Sequence, residues 1–91
     1  MIRSFKHKGL RRFFTDSDYR GIPAQFANRL MRLLDRLDAA RQASDMNLPG
    51  YDYHVLKGKR SAVYSVAVSG NWRLTFRFDE DAYDVSLEDY H

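Results

Sequence analysis

Residues 62–88 read AVYSVAVSGNWRLTFRFDEDAYDVSLE, and their period of two decides the fold. From Trp72 to Phe78 the even positions are apolar, while Arg73, Thr75 and Arg77 are polar. That alternation is a strand with one buried face. Ser69-Gly70-Asn71 is a hairpin loop with glycine. Joining Val68 to Trp72 across it sets Val66 against Leu74 and Tyr64 against Phe76. On the other side, Phe78 opposite Tyr83 sets Phe76 against Val85 and Leu74 against Leu87. A slip of one residue would mix apolar and polar faces, so the register is specified.

Working back toward the N-terminus, Tyr53 to Leu56 is one more strand. Gly58-Lys59 suits a two-residue turn with glycine first, which pairs Lys57 with Arg60 and Tyr53 with Tyr64. The strands are therefore Tyr53 to Leu56, Ala62 to Val68, Trp72 to Phe78 and Tyr83 to Glu88, in an antiparallel meander. One face collects Tyr64, Val66, Leu74, Phe76, Tyr83 and Val85. The other carries His54, Ser61, Ser65, Arg73, Thr75, Arg77, Asp84, Ser86 and Glu88 and is expected to stay open.

The first half has a helical period. Ile2 to Phe5 suits a short opening strand, and His7 to Phe14 a short helix with Leu10, Phe13 and Phe14 inward. Thr15 to Gly21 is turn chemistry. Pro23 suits the first turn of a long helix reaching about Ala43. Phe26, Leu30, Leu33, Leu34 and Leu37 make its apolar stripe. Arg29, Arg32 and Arg36 form another flank, read as a solvated face paired with Asp35 or Asp38. Ser44 to Gly50 is a loop. The expected architecture is α+β: two N-terminal helices packed on one face of a twisted antiparallel sheet, in a single domain over residues 1–91.

Composition narrows the function. The absence of cysteine removes disulfides, thiolate chemistry and Cys-based zinc. The opening MIRSFKHKGLRRFF lacks the apolar stretch of a signal peptide, and no run approaches the ~20 apolar residues of a membrane helix. A cytoplasmic protein without membrane contact is expected. The net charge of +3 favours an anionic partner only weakly.

The open face holds the chemistry. His54 and Arg73 share it, Lys57 and Arg60 flank its edge, and Asp89-Tyr90-His91 leaves the last strand beside Arg73. Such a set suits metal-free RNA cleavage by the substrate's own 2′-OH. A base takes the proton, a cation stabilises the extra phosphoryl charge and an acid protonates the leaving oxygen. Histidine titrates near working pH, arginine clamps two phosphoryl oxygens, and Tyr90 can stack on a splayed base. Taken singly, each has a plainer explanation. His54 is a surface histidine, Arg73 and Arg77 are cross-strand partners of Glu88 and Asp84, and Tyr90-His91 is a frayed end. The histidines His7, His54 and His91 lack metal-ligand spacing, so no metal or other cofactor is expected.

MIRSFKHKGLRRFF, HVLKGKRSAVYSVAVSGNWRLTF and the ending LEDYH together resemble the HigB-type toxins of bacterial type II toxin–antitoxin modules, in the RelE superfamily. The resemblance runs nearly end to end and departs most between Phe14 and Leu48. It implies a RelE-like fold and a ribosome-dependent endoribonuclease that cuts mRNA in the 30S A site without a metal. It also implies a HigA-type antitoxin as partner, with operator DNA bound only through the antitoxin complex. Carried over by motif, the catalytic residues are His54, Lys57, Arg73, Asp89, Tyr90 and His91. Lys59, Arg60 and Asn71 are further RNA contacts. Two other readings share this scaffold: a ParE-type gyrase inhibitor, and a non-catalytic RNA- or ribosome-binding module.

Overall fold

The computed structural model describes residues 1–56 and 62–90. Helix α1 spans Lys8–Asp16 and α2 spans Ala27–Ala39; strands β1 to β4 span His54–Leu56, Val63–Ser69, Trp72–Phe78 and Ala82–Asp89. The strands form one antiparallel sheet in the order β1-β2-β3-β4, as the alternation requires. The helices pack on its apolar face. Leu10, Phe13, Leu30, Leu33, Leu34, Leu37, Val66, Leu74, Phe76 and Val85 are all fully buried there. The fold is the expected α+β arrangement.

Local chemistry moves several boundaries. His7 lies outside α1 as its N-cap, with Nδ1 accepting from the Leu10 N–H at 2.9 Å. The helix runs past Phe14 to Asp16 and ends at the left-handed Ser17. Pro23 does not open an α-helix. It is extended, and a 3₁₀ turn over Ala24–Phe26 leads into α2. The helix also stops at Ala39 rather than Ala43, because Ala40 is extended. Past it, the Asp45 carboxylate accepts from the Arg41 and Gln42 N–H groups and caps the separate 3₁₀ turn Ala43–Met46. That turn buries Met46 in the core. Ile2 and Phe5 make two parallel bridges to Ala82 and Val85 instead of a continuous strand.

Two irregularities change the register. Trp72 pairs with Ser69 and not Val68, while Val66 with Leu74 and Tyr64 with Phe76 stand as expected. On the other side, Leu74 meets Leu87, but Tyr83 faces Arg77 and Ala82 faces Phe78. A bulge at Asp84, whose φ is +51°, absorbs the extra residue. Ala82 therefore takes the core position assigned to Tyr83, and the Tyr83 ring lies under the Arg3 guanidinium. The β1–β2 pairing is offset by two residues, which preserves the faces: Val55, not Tyr53, lies opposite Tyr64. Tyr53 still stacks diagonally on Tyr64 at 6.1 Å between ring centres. The Gly58-Lys59 turn and the Lys57–Arg60 pair lie outside the described residues.

Arg29 is no solvated charge paired with Asp35 or Asp38. Its guanidinium donates to the carbonyls of Gly50 and Ala67 and lies over the Tyr51 ring. Asp38 instead accepts from the Ile2 N–H at 2.8 Å.

Gly9 of α1 sits against Gly21, and a Cβ on either residue would overlap the other's backbone. Gly9→Ala is expected to destabilise the fold by ~1–3 kcal/mol, read from chemical denaturation. The Arg20 guanidinium, hydrogen-bonded to Asp18, lowers that carboxyl from 3.8 to about 2. This contribution to stability is present above pH 4 and lost as pH falls toward 2. Asp18→Asn should flatten that part of the acid-unfolding curve, followed by circular dichroism.

Candidate active site on the polar sheet face

The loop before β1 is held before any functional side chain is placed. Arg29 donates to Gly50 O at 2.9 Å, and the Ala67 N–H donates to Tyr51 O at 2.7 Å. Gly50 and Asp52 both have positive φ, +83° and +49°. The backbone thus passes through two left-handed residues before entering β1 at His54. Asp52 belongs to the small set of non-glycine residues that tolerate this conformation.

β1 sets His54 opposite Ser65, and β3 sets Arg73 opposite Ala67 on one side and Glu88 on the other. The Arg73 guanidinium does not turn to Glu88. Its Nε donates to Ser65 Oγ at 2.9 Å, its Nη1 to Asp52 Oδ2 at 3.0 Å, and its Nη2 to the Asp52 carbonyl. Only 15% of the Arg73 side chain is exposed, so these bonds hold the guanidinium in one plane.

His54 lies beside it, with Nδ1 at 3.0 Å from the Asp52 carbonyl and 3.7 Å from Asp52 Oδ1. The carbonyl contact requires the proton on Nδ1. The 3.5 Å approach of Arg73 Nη2 to the same nitrogen is then proximity and not a hydrogen bond. Nε2 is left as the ring's acceptor. The His54 side chain is 58% exposed, so an incoming substrate can reach it.

The face is less open than the alternation implies. Ser65, Thr75 and Ser86 are buried, at 1%, 3% and 9% exposure. Arg73 bonds to Ser65, and Glu88 Oε2 accepts from Thr75 Oγ1 at 2.8 Å. Beside them opens a cavity of about 260 Å³ lined by Lys6, Leu56, Thr75, Arg77, Glu88 and Tyr90, among others. Arg77 Nε stands 3.9 Å from Asp84 Oδ2, the ion pair read from the sequence.

Tyr90 reaches this cavity because its N–H donates to the Asn71 carbonyl at 2.8 Å, tying the end of the chain to the β2–β3 hairpin. Partial burial pushes the Tyr90 phenol up. The Glu88 charge adds to that effect and Arg73 opposes it, so the hydroxyl stays protonated at neutral pH. Asp89 pairs with Trp72, a register that puts it on the Trp72 side of the sheet rather than beside Arg73.

Of the residues picked out from the sequence, the fold thus gathers His54 and Arg73, with Tyr90 in the wall of the neighbouring cavity and tied to the Asn71 carbonyl. Lys57, Lys59, Arg60 and His91 lie outside the described residues. The sequence reading missed Asp52 as a site residue and Lys6 as part of the cavity. Alternation carried no signal for Asp52, because its left-handed backbone lies outside the strand period. Lys6 had no signal either, since only the docking of residues 2–6 on β4 brings it there. Among the described residues, no group of three or more His, Cys, Asp or Glu side chains is placed to hold a metal ion. Among the described residues, no helix is long and apolar enough to cross a membrane.

Comparison with known proteins gives this geometry a context. A family model described as a RelE-like toxin of the type II toxin–antitoxin system HigB matches residues 3–91. The chain is 44% identical over 92 residues to the Endoribonuclease HigB of Proteus vulgaris, across 100% of both chains. It is 36% identical over 80 residues to Toxin HigB-1 of Vibrio cholerae, covering 86% of this chain and 84% of that protein. A match over nearly the whole chain, on a fold of helices against an antiparallel meander, places this chain in the HigB-type toxin family of the RelE/ParE superfamily, the toxins of type II toxin–antitoxin modules.

Proposed function

We propose that this chain is a ribosome-dependent endoribonuclease that cuts mRNA in the A site and so halts translation. The observation that carries the reading is the meeting of His54 and Arg73 on the polar sheet face, with a largely exposed imidazole beside a fixed guanidinium. The name of the Proteus vulgaris relative supports the same reaction class.

In this reaction the substrate's 2′-oxygen forms a bond to the adjacent phosphorus, and the bond from phosphorus to the 5′-oxygen breaks. The products are a 2′,3′-cyclic phosphate and a free 5′-hydroxyl. His54 Nε2, opposite the nitrogen held by Asp52, exchanges a proton with one of these two oxygens. His91 serves the other. Arg73, helped by Lys57, takes the phosphoryl oxygens, whose charge grows in the transition state. Tyr90, protonated and half-exposed, stacks on a splayed base or donates to the nucleotide, and Asp89 helps orient the tail. Lys59, Arg60 and Asn71 contact flanking RNA, and binding to the ribosome should weaken with salt. A HigA-type antitoxin is the neutralising partner, and the cytoplasm, where ribosomes are, is the place of action.

Purified protein incubated with mRNA, with and without programmed ribosomes, should produce new ends only with ribosomes and within the A-site codon, mapped by primer extension. His54→Ala, Arg73→Ala and His91→Ala should each lower the single-turnover rate by ~100-fold or more, the usual scale for a lost proton-transfer or charge-stabilising group. Co-sedimentation with ribosomes should persist in His54→Ala and His91→Ala. A folded wild-type protein that cuts in neither reaction would remove the nuclease reading, and a gyrase supercoiling assay would then test the ParE-type alternative.

A further inference from the structure

Asp52 contacts both members of the proposed catalytic pair and has no part in the chemistry above. It uses two groups for this. Its carbonyl accepts from His54 Nδ1 and Arg73 Nη2, and its carboxylate lies against Arg73 Nη1 at 3.0 Å and His54 Nδ1 at 3.7 Å. Both groups reach the pair because the residue holds a φ of +49°. The loop carrying it is pinned on its other side by Arg29 and by the Tyr51–Ala67 hydrogen bond.

We infer that Asp52 is a positioning residue for the cleavage reaction, one that fixes the Arg73 guanidinium plane and the His54 ring relative to each other. The inference rests on the nuclease reading of this site. Without the Asp52 carboxylate, Arg73 keeps its bonds to Ser65 Oγ and to the residue-52 carbonyl but loses the one that holds Nη1, the far corner of the guanidinium plane. His54 is on a short edge strand with a largely exposed ring, and the described hydrogen bond that orients its Nδ1 goes to Asp52. An exposed carboxylate in such a pair contributes little to stability, so the effect of its loss falls on geometry. A shift of about 1 Å at a reacting group can cost about 100-fold in rate.

The charge acts in the opposite direction on binding. Asp52 is 62% exposed, next to the cation that takes the phosphate, and it repels an incoming polyanion. Asp52 is therefore expected to raise kcat without tightening the substrate complex, a split that a purely structural or binding residue would not give.

Two variants and two readouts test this. Asp52→Gly keeps the positive φ and removes the carboxylate. Asp52→Asn keeps the φ and a side-chain acceptor for Arg73. On programmed ribosomes, Asp52→Gly should lose about tenfold or more in kcat with KM unchanged or lower, and Asp52→Asn should stay within about threefold of wild type. In the free protein, a long-range proton–nitrogen correlation spectrum should show His54 protonated at Nδ1, both in wild type and in Asp52→Gly, which keeps the carbonyl that holds that proton. Wild-type kcat in Asp52→Gly, a raised KM at constant kcat, or equal impairment in both variants would overturn the positioning role while leaving the nuclease reading intact. A wild-type protein that cuts nothing would instead remove the nuclease reading, and the role in cleavage with it. Thermal melts of both variants, expected to match wild type, exclude unfolding as the cause. Should Asp52→Gly melt early, the Asp52→Asn kinetics and the wild-type tautomer decide: loss of kcat in Asp52→Asn beyond threefold, or a wild-type proton on Nε2, overturns the inference.

Discussion

The burial of one helix on the middle of one sheet sets everything else. Leu30, Leu33, Leu34 and Leu37 of α2 are fully buried, as are Val66, Leu74 and Phe76 of the central strands. Full burial of such side chains is worth ~1.5–3 kcal/mol each before the entropy of ordering the chain is subtracted. Once these residues face inward, the pleat fixes where their neighbours go: Ser65, Arg73 and Thr75 must face the other way. The polar face is the complement of the core. No separate device is needed to put His54 and Arg73 on one side of the sheet.

Facing the same side is not the same as being arranged. The arrangement comes from the connection between α2 and β1. α2 ends at Ala39, two residues past the last leucine of its stripe, and the Asp45 carboxylate takes the next backbone N–H groups, those of Arg41 and Gln42. The chain then buries Met46 and returns to the sheet, where Arg29 holds Gly50 and Tyr51 against Ala67. An arginine on α2 thereby secures the loop that delivers Asp52 to Arg73. The core and the candidate active site are linked through this loop.

The site itself shows a balance between fixing groups and leaving them available. Arg73 is nearly covered and bonded to three acceptors, while more than half of the His54 side chain is open to solvent. Fixed dipoles and charges of this kind cost no reorganisation when charge develops on a substrate. The adjoining cavity, with Glu88 and Tyr90 in its wall and Lys6 at its edge, joins the last strand to the N-terminal segment that covers its edge.

The amino-acid sequence determined the layers and the faces, because both follow from periodicity. A period of two over Trp72 to Phe78 and a three-to-four spacing from Phe26 to Leu37 leave one way to bury the apolar residues. That reasoning also put His54 and Arg73 on one surface. The resemblance of the LKG, NWR and DYH segments to HigB-type toxins pointed to the family that the comparisons show. Three things were decided only in three dimensions. The bulge at Asp84 exchanged Tyr83 for Ala82 in the core, since alternation carries no mark of where one residue is left over. Arg29 became a loop clamp instead of a solvated charge, because the carbonyls it meets are far away in the chain. Arg73 chose Asp52 over the cross-strand Glu88. A residue's strand partner is set by pairing, but the reach of a long guanidinium is set by where the loops fall, and that depends on the whole packed molecule.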